Sequence, residues 1–229
     1  MSDVDIIYQD DDLLATNKPA GIVVHADDHH DSGFLEVVQQ QFPQADFLHR
    51  LDKDTSGVLL FSKNPEGHEH YKDLFRDREI QKTYLALLVG NIKNETGSVV
   101  LPIGRSSSDP RKRVVNGKKG LLREAHTDYK VIEHFGEKYS LVELYPKTGR
   151  THQIRVHMTS IGHPVACDEL YGGKRYQCPD GAERQLLHAR AIEFTDRNGE
   201  RRKIEAEEPQ DFENTLKSLR MADKHGTTG

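Results

Sequence analysis

The sequence predicts an α+β fold: a mixed, mainly antiparallel sheet with flanking helices. Strand-like runs outnumber helical ones, and the two do not alternate regularly, which argues against a doubly wound sheet. The chain has 229 residues, 35% of them hydrophobic. That supplies roughly 80 core residues, enough for one generous domain. We expect a single catalytic domain over residues 1–220 and a polar, disordered tail over 221–229.

In chain order, strands are expected at 4–8 and 13–17, and a first helix at 34–42. An apolar strand follows at 58–62. A helix at 65–76 has Asn64 as its cap and Pro65 at its first position. Residues 83–89 read as a buried strand with Tyr84 near its start, followed by strands at 98–101 and 126–134. Residues 139–145 alternate, with Val142 and Leu144 on one face. Ile154, Met158 and Ile161 form one apolar stripe on a helix over 151–161. Strands at 187–194 and 203–206 and a helix at 210–219 close the chain. Punctuation falls at 18–21, 106–110, 116–120 and 172–173, none of it long enough for an interdomain linker.

The formal net charge is -5, but the charge is unevenly placed. Residues 1–12 and 205–213 each hold five acids and no Lys or Arg. Between Arg105 and Arg123 stand seven basic residues and one acid, Asp109. That stretch, with Arg111, Lys112 and Arg113 at its centre, is too polar for a core. It is expected to be a mobile loop that folds onto phosphates. No window approaches the apolar length of a membrane span, and the N-terminus is acidic where a signal or transit peptide would be basic. Cys167 and Cys178 do not form a CxxC, so a reducing, cytoplasmic address is expected. The histidines show no metal-ligand spacing, and no phosphate-cradling glycine motif occurs, so neither metal nor cofactor is expected.

Two segments crowd chemically capable side chains together. In the first, His49, Arg50, Asp52, Asp54, Thr55 and Ser56 run into the apolar strand at 58–62. Residue chemistry alone allows a plain turn in which Asp, Ser and Thr bond their own backbone. It equally allows a carboxylate at a strand mouth, kept ionised by a nearby Arg. On an extended strand Arg50 and Asp52 would share a face. The second segment puts Arg150, His152, Arg155 and His157 near a helix start, where cations oppose the macrodipole. An anion, carboxylate or phosphate, would offset that cost.

The motifs Asn17-Lys-Pro-Ala-Gly21, His49-Arg-Leu-Asp-Lys-Asp-Thr-Ser-Gly57, Lys82-Thr-Tyr-Leu-Ala86, Thr148-Gly-Arg-Thr-His-Gln-Ile-Arg-Val-His157 and Leu186-Leu-His-Ala189 together resemble the RluA family of RNA pseudouridine synthases, in the family's order. The resemblance implies an enzyme that isomerises uridines in ribosomal RNA, transfer RNA or both, without metal or cofactor. It implies a mainly antiparallel sheet with a cleft across its middle. It places Asp52 on the catalytic aspartate, Tyr84 on the tyrosine that stacks on the target uracil, and Arg150 on the basic residue that pairs with the aspartate. Arg50 matches the arginine associated with flipping the nucleotide, His49 belongs to the same substrate-binding motif, and Ile154 matches an apolar position near the site. The chain is similar to the shorter members that lack an N-terminal RNA-binding domain, and a monomer is expected. Two other classes compete. A glycoside hydrolase would use Asp52 and Asp54 as a carboxylate pair, but the chain has no Trp for a sugar platform. A non-catalytic RNA-binding module would not need Asp52, Tyr84 and Arg150 together.

Overall fold

In the computed structural model, all seven residues of the strand β4 (Ser56–Ser62) are buried. A strand covered on both faces reads as an unbroken apolar run, here Val58-Leu-Leu-Phe61. The structure describes residues 4–27, 29–117 and 119–226. The chain divides into two compact units, Met1–Thr83 with His188–Glu208, and Tyr84–Leu187 with Pro209–Gly229.

In the first unit β1 (Ile6–Gln9) pairs antiparallel with β2 (Leu13–Lys18), and β2 pairs antiparallel with β4. The short β3 (Asp46–Phe47) pairs with the end of β4. The start of β4 pairs in parallel with β12 (Leu187–Thr195), Ser56 opposite His188 and Gly57 opposite Ala189. An antiparallel β13 (Arg201–Glu205) follows on β12. Helices α1 (Phe34–Gln39) and α2 (Pro65–Asp77) complete the unit. Asn64 caps α2 by accepting the Gly67 N–H, as its position before Pro65 predicts. Tyr71 of α2 meets Phe194 edge-on at 5.5 Å within a core of Leu13, Val58, Leu60, Ile192 and Ile204.

The second unit is an antiparallel sheet in the order β5 (Gln81–Val89), β11 (Tyr139–Pro146), β10 (His126–Phe135) and β6 (Thr96–Val100). Strand alternation sorts its residues onto two faces. Ala86, Leu88, Val142 and Leu144 pack with Ile154 and Met158 of α3 (Gln153–Ser160). Leu85, Leu87, Tyr139 and Leu141 pack with Phe212 and Leu216 of α4 (Gln210–Gly226). The pairing of Val142 with Leu144 read from the sequence is the α3 face.

Three features differ from the sequence reading. The basic stretch is not a loop: β7 (Ile103–Arg105) is flanked by β8 (Arg113–Val115) and β9 (Lys119–Arg123) in a small antiparallel sheet, with Lys118 outside the described residues. Ile103 and Val115 bury against Val156 and Tyr171, an apolar anchor too short to register as a periodic pattern. The expected tail from 221 to 229 is helical through residue 226, because α4 continues beyond the ion pair of Arg220 with Glu133 on β10. Residues 227–229 lie outside the described residues. Cys167 and Cys178 form a disulfide, which removes the argument for a reducing compartment drawn from the lack of a CxxC.

Candidate functional site

The Asp52 loop lies in the first unit. The Thr55 N–H donates to the Asp52 carbonyl at 3.1 Å, closing a turn with Lys53 and Asp54 at its centre. Residues 52–55 are therefore a turn, and β4 begins only at Ser56, so Arg50 and Asp52 do not lie on an extended strand. The Asn17–Gly21 motif pins this turn. The Gly21 N–H donates to the Lys53 carbonyl at 3.0 Å. The wholly buried Lys18 ammonium donates to the carbonyls of Pro19, Ile22 and Lys53 at 2.7, 2.8 and 3.1 Å. A buried ammonium needs acceptors of this kind to offset its desolvation. Asp52 is half-buried and Arg50 exposed.

His49 supports the loop from behind. Its Nε2 accepts the Leu60 N–H at 3.1 Å, and its ring packs on Phe75. Burial, then the charges of Lys82 and Lys72, push its pKa down to about 3. The ring is neutral at physiological pH. The stability it contributes is complete above its ordinary pKa and is lost as pH falls toward 3. At the end of the loop the buried Ser56 hydroxyl lies 3.0 Å from His188 Nδ1. His188 Nε2 donates to the Ala206 carbonyl, so Nδ1 is the acceptor of the serine proton.

The second unit carries Tyr84, Ile154 and Arg150. Tyr84 stands opposite Leu144 on β5, half-buried against the core that contains the buried Ile154. Arg150 precedes α3 in a turn held by Gln153. The Gln153 Oε1 accepts the Arg150 N–H at 3.0 Å and the Thr148 hydroxyl at 2.7 Å. Its amide donates to the His126 carbonyl and to Thr127 Oγ1. Thr127 passes its proton to His157 Nδ1, and His157 Nε2 donates to the Leu101 carbonyl. Burial lowers the pKa of His157, consistent with this neutral role. The Arg150 side chain donates from Nε to the Glu124 carbonyl at 2.9 Å. The anion that the cationic helix start calls for is partly internal. Arg155 makes a two-pronged buried pair with Asp168, at 2.7 and 2.9 Å.

The small sheet lies beside this turn. Arg105 stands opposite Arg113 of β8, and its backbone pairs with position 119 of β9 past an irregularity in the register. Like charges placed opposite one another, as at Arg105 and Arg113, destabilise a sheet. Arg111 pairs with Asp109 at 2.9 Å, and Arg113 donates to the carbonyls of Pro110 and Lys112. The half-buried Lys112 sits in the turn between them. Arg105 owes its central place to strand pairing, which the spacing of 111–113 does not reveal. Among the described residues no group of His, Cys, Asp or Glu is arranged to hold a metal ion, and no helix is long and apolar enough to cross a membrane.

A family model described as RNA pseudouridylate synthase matches residues 12–160. The chain is 40% identical over 225 residues to the ribosomal large subunit pseudouridine synthase C of Vibrio vulnificus (strain CMCP6), covering 95% of this chain and 70% of the relative. Among solved structures it is similar to human RNA pseudouridylate synthase domain containing 1, with a TM-score of 0.77 at 30% identity, over 95% of each chain. The human domain containing 4 protein aligns with the same TM-score at 25% identity, over 94% of this chain and 93% of that one.

Proposed function

The chain belongs to the RNA pseudouridylate synthase family and is an RNA pseudouridine synthase, and from that premise we propose how its residues divide the reaction. The observation that carries the proposal is the turn that holds Asp52 half-buried at the entrance to β4, fixed by Lys18 and Gly21. Converting uridine to pseudouridine breaks a carbon–nitrogen glycosidic bond, turns the detached uracil and forms a carbon–carbon bond to the same ribose. Nothing is gained or lost, so no co-reactant is needed. Asp52 supplies the carboxylate that adds to the substrate or stabilises the cationic ribose. The target nucleotide is extruded at a cost of a few kcal/mol, with Arg50 filling the space it leaves. Tyr84 receives the flipped uracil, and stacking returns about 1–3 kcal/mol. Arg150 supplies the cation of the site, Ile154 the apolar floor under the base, and His49 holds the Asp52 loop from within.

The relatives' names point to large-subunit ribosomal RNA as the substrate class, in preference to transfer RNA. We place the enzyme in the cytoplasm, acting as a monomer without a membrane partner or a cofactor. The test is pseudouridine mapping of ribosomal and transfer RNA from cells with and without the gene. Sites lost from large-subunit RNA and restored by wild type support the reading. Sites lost only from transfer RNA overturn the substrate assignment.

Tyr84→Phe keeps the stacking face and removes only the hydroxyl. It is expected to retain substantial turnover, whereas Tyr84→Ala fails. A Phe variant as inactive as Ala, with RNA binding intact, would assign the hydroxyl to the chemistry.

The small sheet is the proposed phosphate-contacting surface, with Arg105, Arg111, Lys112 and Arg113 its cations. Each lost phosphate contact flattens the dependence of log K on log salt by about 0.7–0.9. Replacing Arg111, Lys112 and Arg113 by Ala is expected to weaken RNA binding and flatten that slope, with a modest change in thermal stability, since Arg111 is 77% exposed while Lys112 and Arg113 are half-buried. Adding Arg105→Ala deepens both effects. Affinities measured at several salt concentrations check this, and unchanged slopes place RNA elsewhere.

A further inference from the structure

Tyr171 lies where the small basic sheet meets the Arg150 turn, and every part of its side chain is engaged. Its hydroxyl accepts the Arg113 N–H of β8 at 2.8 Å. The same oxygen is 2.8 Å from His152 Nδ1, and the two rings meet edge-on. With one lone pair taken by Arg113, the phenol proton is available for His152 Nδ1. The Arg155 guanidinium covers the Tyr171 ring at 4.9 Å, while Asp168 accepts both Arg155 and the Tyr171 N–H. Tyr171 is 9% exposed.

His152 is the cap of α3 and stands two residues after Arg150. Its backbone is left-handed, φ 56°, which a non-glycine residue holds only when its surroundings impose it. Tyr171, bonded to β8 through the Arg113 N–H, supplies part of those surroundings. The residue that follows β9, Glu124, takes Arg150 Nε on its carbonyl. The turn that carries Arg150 is thus tied to β8 through Tyr171 and His152, and to the end of β9 through the Arg150 side chain.

We propose that Tyr171 is a positioning residue that couples the basic sheet to the Arg150 turn, so that phosphate engagement on the sheet and placement of the Arg150 guanidinium are linked. The inference rests on the reading of Arg150 as a site residue. It predicts a defect in the rate of the bound complex and not in binding, because Tyr171 is buried and its hydroxyl faces protein groups.

The experiment compares wild type, Tyr171→Phe, His152→Gly, their double variant and Arg150→Ala on transcribed large-subunit ribosomal RNA. Readouts are the single-turnover rate at saturating RNA, the RNA Kd and the melting temperature. Phe keeps the ring under Arg155, and Gly adopts the left-handed backbone freely while removing the imidazole. Each single variant is expected to lower the saturating rate about tenfold, with Kd changed less than about twofold. The double variant is expected to be no slower than Tyr171→Phe alone, since Phe already removes the bond to His152 together with the one to Arg113. A wild-type rate in Tyr171→Phe, or a loss confined to Kd or to melting temperature, overturns the proposal provided Arg150→Ala is inactive. Full activity in Arg150→Ala overturns the reading of Arg150 instead. If Tyr171→Phe does not fold, His152→Gly decides by the same criteria.

Discussion

Asp52→Asn is expected to give a folded protein that binds RNA with wild-type affinity and turns over at least ~10²–10³-fold more slowly. The turn around residue 52 is closed by the Asp52 carbonyl accepting the Thr55 N–H, a backbone bond that Asn keeps. The loop is held further by Lys18 and Gly21 on the Lys53 carbonyl, which the substitution does not touch. Asn is also as well suited to a turn as Asp. The shape is kept while the charge is lost and one acceptor oxygen becomes a donor, and a neutral amide neither adds to a ribose carbon nor stabilises a cation. Asp54→Asn, two residues on in the same turn, is the matched control and is expected to stay active. Pseudouridine formed per enzyme, measured beside RNA affinity and thermal stability, checks both. Comparable turnover in the two variants would remove Asp52 from the chemistry.

Much of this loop was legible as chemistry and less of it as geometry. The crowding of His49, Arg50, Asp52 and Asp54 before an apolar run marks a functional turn, and the motif order identifies the family. That His49 is a half-buried, neutral support depends on Leu60 N–H and Phe75, eleven and twenty-six residues away in sequence. Spacing carries no trace of such contacts. The helix stripe of Ile154 and Met158 and the face of Val142 and Leu144 were readable because each repeats with the period of its element. The basic stretch misled because its strands are only three to five residues long and rich in Arg, Lys and Gly. Composition there reports solvent exposure, while the order comes from Ile103 and Val115 packing on α3 and Tyr171. Part of the anion that the α3 start calls for is a carboxylate of the chain itself, Asp168, thirteen residues from Arg155.

The second large effect is on stability. A glycine in Thr55-Ser56-Gly57 looks from sequence like relief for a tight turn, but Gly57 lies within β4, between two neighbouring strands. It stands opposite Lys18 of β2 and Ala189 of β12. Its φ is +114°, and a Cβ placed there would lie 2.2 Å from the Ala189 carbonyl oxygen and 2.7 Å from the Ala189 carbonyl carbon and nitrogen. Those are backbone atoms of a buried strand, so no side chain can swing aside. Gly57→Ala must therefore push β12 away from β4. That movement parts Ser56 from His188 and loosens the strand that anchors the Asp52 turn. The expected loss exceeds about 4 kcal/mol, in the range set by overpacking combined with backbone strain. Gly21→Ala separates the two causes. Gly21 also has positive φ, +87°, but nothing lies within 4 Å of its added Cβ. It is expected to cost only the conformational term, about 1–2 kcal/mol. Denaturant unfolding of both variants measures the difference. Equal losses at the two positions would mean that β12 yields to the methyl group, and that close strand contact does not explain the glycine at 57.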